Sequence, residues 1–124
     1  MARPIKFRGI SRDTGKWLIG ALIPNGKKEA YIAPFGRCLQ LEEVNPDTVG
    51  QFTGMLDQNG KEIYEGDIVR YYDEIEDELV SSHVIYHQAS CSFCAAPTEL
   101  CGDYTGINAY WRFEVIGNIY DNKN

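Results

Sequence analysis

Cysteine and histidine carry the sharpest chemical signal in this chain. Cys91-Ser92-Phe93-Cys94 is a C-x-x-C pair, Cys101 follows seven positions later, and His83 and His87 stand just upstream. A tetrahedral zinc site needs four soft or borderline ligands, and Cys91, Cys94, Cys101 and His87 supply that number. Such a zinc would be structural, and no other cofactor is expected. Two features weigh against it: only one C-x-x-C pair is present, and Ala95 stands where a glycine would help a zinc knuckle turn. The favoured reading is a loop of reduced thiols, with some cysteines packed as small hydrophobes. No apolar leader opens the chain, so a cytoplasmic location is expected, and with it thiols rather than disulfides.

Other constellations are weaker. There is no G-x-S-x-G elbow, no H-E-x-x-H, no P-loop and no G-x-G-x-x-G, so no catalytic residue is assigned and an enzyme is not expected. Glu62, Glu65 and Asp67 form a cluster of carboxylates, which reads best as turn acids that accept backbone N–H bonds or face solvent. Charge is divided unevenly. The 124 residues carry a net charge of -6, yet residues 1–37 hold eight bases and two acids, and residues 38–124 four bases and sixteen acids. The net sign argues against a generic DNA-backbone binder. The basic N-terminal third keeps nucleic acid open as a partner, with Lys6, Arg8, Arg12 and Lys16 as the contacts, Lys6 and Arg8 sharing one strand face. The reading that ranks above it is a protein partner or self-association. No apolar run is long enough to span a bilayer, so no membrane partner is expected.

The elements that must position these groups are strands. Ile5 to Ile10 alternates near period two, Trp17 to Ile23 is a short apolar run with Trp17 expected in the core, and Pro24-Asn25-Gly26-Lys27 turns the chain into a return strand over residues 29–33. Residues 3–33 thus read as a three-stranded meander. Residues 38–41 suggest a short strand, and Asn45-Pro46-Asp47-Thr48 suggests one capped helical turn. A strand over residues 51–56, a second Asn-Gly turn at Asn59-Gly60, and strands over residues 68–72, 79–87 and 110–120 follow. Of Ile68 and Val69, which point opposite ways, one must enter the core. The acidic run Asp73 to Glu78 reads as a hairpin tip, and residues 88–108 as a long loop. No long amphipathic helix and no internal repeat stands out. About seven to nine short strands suit a small barrel or packed sheets.

Three blocks resemble the YopX family of phage and prophage proteins. They are Ile5-Lys6-Phe7-Arg8 at the start, Gln51-Phe52-Thr53-Gly54 through Asp57-Gln58-Asn59-Gly60-Lys61-Glu62-Ile63-Tyr64-Glu65-Gly66-Asp67-Ile68-Val69 in the middle, and Phe113-Glu114-Val115-Ile116-Gly117-Asn118-Ile119-Tyr120 at the end. The resemblance covers nearly the whole chain. It implies one YopX-like domain over residues 1–124. Its fold is mainly β with little helix: an N-terminal β-meander (1–48) and a C-terminal SH3-like small barrel (49–124) that carries the cysteine segment near 88–108 as an insertion. It also implies a phage or prophage origin and a host-cytoplasmic location. It implies no reaction, so the expected role is that of a non-enzymatic accessory protein.

Overall fold

The computed structural model describes residues 4–26, 28–35, 40–74, 77–97, 105–107 and 112–120. The protein is mainly β, with two antiparallel sheets and, among the described residues, two single-turn 3₁₀ helices. It divides into two compact units, Met1–Phe52 and Thr53–Asn124.

The N-terminal unit begins with β1 (Phe7–Ile10), β2 (Trp17–Asn25) and β3 (Glu29–Pro34), paired in chain order as the meander expected from the sequence. Gly26, at φ +74, makes the β2–β3 turn. Of the strand expected over residues 38–41, Cys38 and Leu39 lie outside the described residues and Gln40 and Leu41 are not in a strand; β4 is Glu42–Val44. Val44 is fully buried, and it is this apolar residue that sets the strand's position. β4 pairs with β3 on one side. On the other side Ser11 bridges to Val44, Arg12 N donates to Glu43 O at 3.0 Å and Asn45 N donates to Ile10 O at 2.9 Å. The four strands therefore close on themselves, which satisfies the edge of β4 that an open meander would leave bare. The capped turn is present at Pro46–Thr48, with Asn45 Oδ1 accepting from Asp47 N at 3.0 Å. β5 (Gly50–Leu56) then returns beside β1, pairing through Gly50 and Gln51. The core here is Ala30, Ile32 and Val44, with Leu18, Leu22 and Val49 against it. Trp17 is not in that core. It is half-buried on the opposite sheet face, where the Arg8 guanidinium lies 4.6 Å from its ring centre. The period-two alternation explains this: Leu18, Gly20 and Leu22 take the inner face and leave Trp17 the outer one.

The C-terminal unit takes the rest of β5, then β6 (Glu62–Tyr64), β7 (Asp67–Asp73), β8 (Glu78–His87), β9 (Ser92–Pro97), β10 (Thr105–Gly106) and β11 (Glu114–Asn118). Its five-stranded sheet is ordered β10-β9-β8-β7-β11. Residues 88–108 are thus not one long loop: after a 3₁₀ turn at Gln88–Ser90, β9 is an inner strand of the sheet. Ser-Phe-Cys-Ala-Ala carries little intrinsic strand preference, and burial of Cys94, Ala95 and Ala96 overrides it. Ile63, Val69, Tyr71, Val84, Ala95 and Phe113 form the core, with Tyr71 and Phe113 packed edge to face at 5.0 Å. Val69 is the member of the Ile68/Val69 pair that enters it. The acidic run joins β7 to β8, with Asp73 opposite Glu78. The first sheet runs β4-β3-β2-β1-β5-β6 and the second β10-β9-β8-β7-β11, so a four-strand meander with a fifth strand beside its first occurs in both without a sequence repeat.

One buried polar side chain of the C-terminal unit is left unsatisfied. Ser82, on the same face of β8 as Val84, is fully buried, and its hydroxyl has no hydrogen-bond partner among the described residues. A buried unsatisfied hydroxyl costs on the order of 1–3 kcal/mol. Ser82→Ala is therefore expected to stabilise the protein by about 1 kcal/mol and to raise its melting midpoint by a few degrees. Thermal unfolding by circular dichroism checks this, and a lower midpoint contradicts it.

Candidate functional site

The turn at Asp57 frames the site. Asp57 Oδ1 accepts from Asn59 N and Lys61 N, both at 2.8 Å, and its Oδ2 accepts from Val115 N at 2.9 Å. Gln58 N adds a bond to Phe113 O at 2.9 Å, and Gly60 closes the turn at φ +83. One carboxylate thus shapes its own turn and fastens it to the start of β11. Burial pushes this carboxyl up, but the N–H groups of Val115, Lys61 and Asn59 and the Lys61 ammonium outweigh it, and Asp57 titrates below its ordinary value. The neighbouring acids have similar structural duties. Asp67, almost fully buried, accepts from Tyr64 N at 2.8 Å, and Glu62 accepts from the Tyr64 hydroxyl at 3.0 Å. Gly66, at φ +89, donates to Val84 O and accepts from Ile119 N, under the ring of Tyr120.

Against this frame lies a groove of the C-terminal unit. Gln58, Arg70, Tyr71, Tyr72, Glu74, Leu79, Arg112 and Glu114 line a hollow of about 430 Å³. A second hollow of about 240 Å³, lined by Met55, Leu56, Asp57, Gln58, Ile63, Arg112 and Phe113, shares Gln58 and Arg112 with it. Tyr72 and Leu79 face each other across the β7–β8 pair and are 45% and 65% exposed, which is high for large apolar groups on a sheet. Arg70 forms an ion pair with Glu114, which also accepts from Asn59 Nδ2 at 3.5 Å. Arg112 has no ion-pair partner among the described residues. Its backbone is held at φ +52, in the left-handed region that a bulky residue rarely adopts. Phe113 beside it is buried and packed edge to face against Tyr71, which holds that backbone in place.

The residues picked out from sequence are placed as follows. His87 ends β8, and its Nδ1 lies 2.8 Å from Ser90 Oγ, itself 2.8 Å from Ser92 Oγ. Cys91 is an exposed free thiol at φ 52, and Cys94 is a buried free thiol on β9. Cys101 lies outside the described residues. Among the described residues, no three of His, Cys, Asp and Glu gather closely enough to hold a metal ion. The four bases are separated by their tasks. Lys6 Nζ lies 4.9 Å from the Phe52 ring centre, Arg8 covers Trp17, Arg12 Nε pairs with Glu43 at 3.2 Å, and Lys16 is exposed at the start of β2. Sequence reasoning did not find the groove. Gln58, Tyr72, Leu79 and Arg112 are scattered over four segments, and the one local hint is a lone base in the aromatic run before Glu114.

Two antiparallel sheets, each built on a four-strand meander with a fifth strand laid beside its first, define the class: a small all-β protein whose turn acids serve architecture. Within that class the chain belongs to the YopX family, whose model, described as YopX protein, matches residues 6–124. No curated protein matches it. Among the described residues, no helix is long and apolar enough to cross a membrane.

Proposed function

We propose that this YopX-family chain is a non-enzymatic phage or prophage accessory protein that works in the bacterial cytoplasm by binding another protein through the groove at Gln58 and Arg112. The observation that carries the reading is the juxtaposition of exposed Tyr72 and Leu79 with an unneutralised Arg112 in a preformed concavity. Aromatic, aliphatic and arginine side chains are the usual anchors of protein recognition. The C-terminal SH3-like barrel belongs to the same proposal. It is supported by the β7–β10 meander with β11 returning beside β7. Phage origin and cytoplasmic location rest on the family resemblance. Nucleic acid is the weaker partner, because Lys6 and Arg8 lie over aromatic rings and Arg12 is paired with Glu43.

Site-specific photo-crosslinking in phage-bearing cells tests the proposal. A crosslinker at Tyr72 or Leu79 is expected to yield one discrete protein adduct, and one at Lys28, in the β2–β3 turn, none. Identical adduct patterns at the three positions, or no adduct at Tyr72 and Leu79, would overturn it.

A further inference from the structure

The two hollows differ in chemistry, and their junction is charged. The smaller is apolar on the Met55, Leu56, Ile63 and Phe113 side, its one acid, Asp57, being engaged by three backbone N–H groups, while the larger carries Arg70, Tyr72, Glu74, Leu79 and Glu114. Arg70 is neutralised by Glu114, so the positive charge left uncompensated among the described residues sits on Arg112, which lines both hollows. A guanidinium in a concave setting binds carboxylate through paired N–H donors. Leu56 is 54% exposed at the mouth of the smaller hollow and offers an apolar side chain a surface to cover. Because the groove continues past Arg112 on both sides, it suits a segment that runs through rather than a chain end.

We infer that the groove takes an internal peptide segment in which an acidic side chain neighbours an apolar one, with Arg112 holding the carboxylate and the Met55–Leu56–Phe113 hollow holding the apolar group. This rests on the groove being the partner site. The acid must come from a side chain, and the stretch beyond it lies over Tyr72 and Leu79.

The test is titration of the ¹⁵N-labelled full chain with acetyl-Gly-Leu-Asp-Ser-Gly-amide, followed by amide chemical shifts. Saturable shifts are expected at Gln58, Tyr72 and Phe113. The Asn analogue of the peptide should bind about tenfold more weakly, the loss expected for one charge-assisted contact. Arg112→Gln should weaken the Asp peptide to the same degree and abolish the difference between Asp and Asn. Arg112→Lys should restore part of it, and both substitutions are at an exposed position that leaves the fold intact. Equal binding of the Asp and Asn peptides overturns the inference while leaving the crosslinking result to judge the groove itself. So does preference for a peptide ending in a free Leu carboxylate, or the absence of any groove shift. Groove shifts that track protein concentration without peptide point to a second copy as the occupant and also overturn it.

Discussion

Replacing Asp57 with alanine is expected to destabilise the C-terminal unit by about 3 kcal/mol or more. Three backbone N–H groups, of Asn59, Lys61 and Val115, lose their acceptor at once. Hydrogen bonds to a charged group contribute about 1.5–3 kcal/mol each, and a donor left buried without a partner costs more than the bond returned. Asn59 and Lys61 lie near solvent and recover part of the loss through water, while the partly buried Val115 N–H recovers less. The loss is large against a total stability of about 5–15 kcal/mol. Urea unfolding checks it, and a change below about 1 kcal/mol would show that the carboxylate is dispensable. Asp57→Asn keeps one acceptor oxygen and should fall between the two. The pH dependence has a defined sign. Because the folded state holds Asp57 below its ordinary value, its contribution is complete above about pH 4 and is lost as the pH falls through the folded value. The asparagine variant should lack that part of the acid destabilisation. Since Gln58 and Phe113 are tied by the same turn, Asp57→Ala should also blunt peptide shifts in the groove.

The second large effect falls in the N-terminal unit. A Cβ at Gly20 would lie 2.0 Å from Ala33 O, 2.8 Å from Ala33 C and 3.0 Å from Pro34 Cα. These are backbone atoms of β3, and Gly20 is paired with Phe7 on one side and Pro34 on the other. β3 cannot move aside without breaking the β2–β3 ladder that closes the ring through β4. Gly20→Ala is therefore expected to cost about 3 kcal/mol, the upper end for overpacking, or more. Gly15→Ala is the control, because no atom lies within 4 Å of that Cβ and only the φ of +72 is strained. It should cost about 1 kcal/mol. Amide exchange over β2 and β3 separates the two: protection should collapse for Gly20→Ala and persist for Gly15→Ala. Equal stability of the two variants would contradict the close approach.

How legible this was in the sequence varied with the range of the interaction. The Asn25-Gly26 and Asn59-Gly60 turns, the Asn45 cap and the β1–β2–β3 meander were all readable. Each is decided within a few residues, by positive φ, side-chain capping or alternation. β9 was not readable, because small residues such as Ala95 and Ala96 become strand formers only when a neighbouring strand buries them. Trp17 shows the same limit from the other side. Its size argued for the core, but its parity on β2 put it on the outer face beside Arg8.

The block from Gln51 to Val69 shows where the boundary lies. By itself the sequence determined a mainly β chain of the YopX family, with turn acids and glycines at defined positions. It did not determine that Asp57 reaches 58 residues ahead to Val115, nor that Gln58 and Arg112 meet in one groove. Local φ preferences and hydrophobic alternation act between near neighbours and leave a mark in every window of the sequence. Contacts between distant strands depend on register and on which edges pair, and that information belongs to no single segment. The same holds for the repeated strand order of the two sheets. Connectivity is fixed by hydrogen-bonded edges, which different side chains can serve equally well, so the architecture recurs where the residues do not.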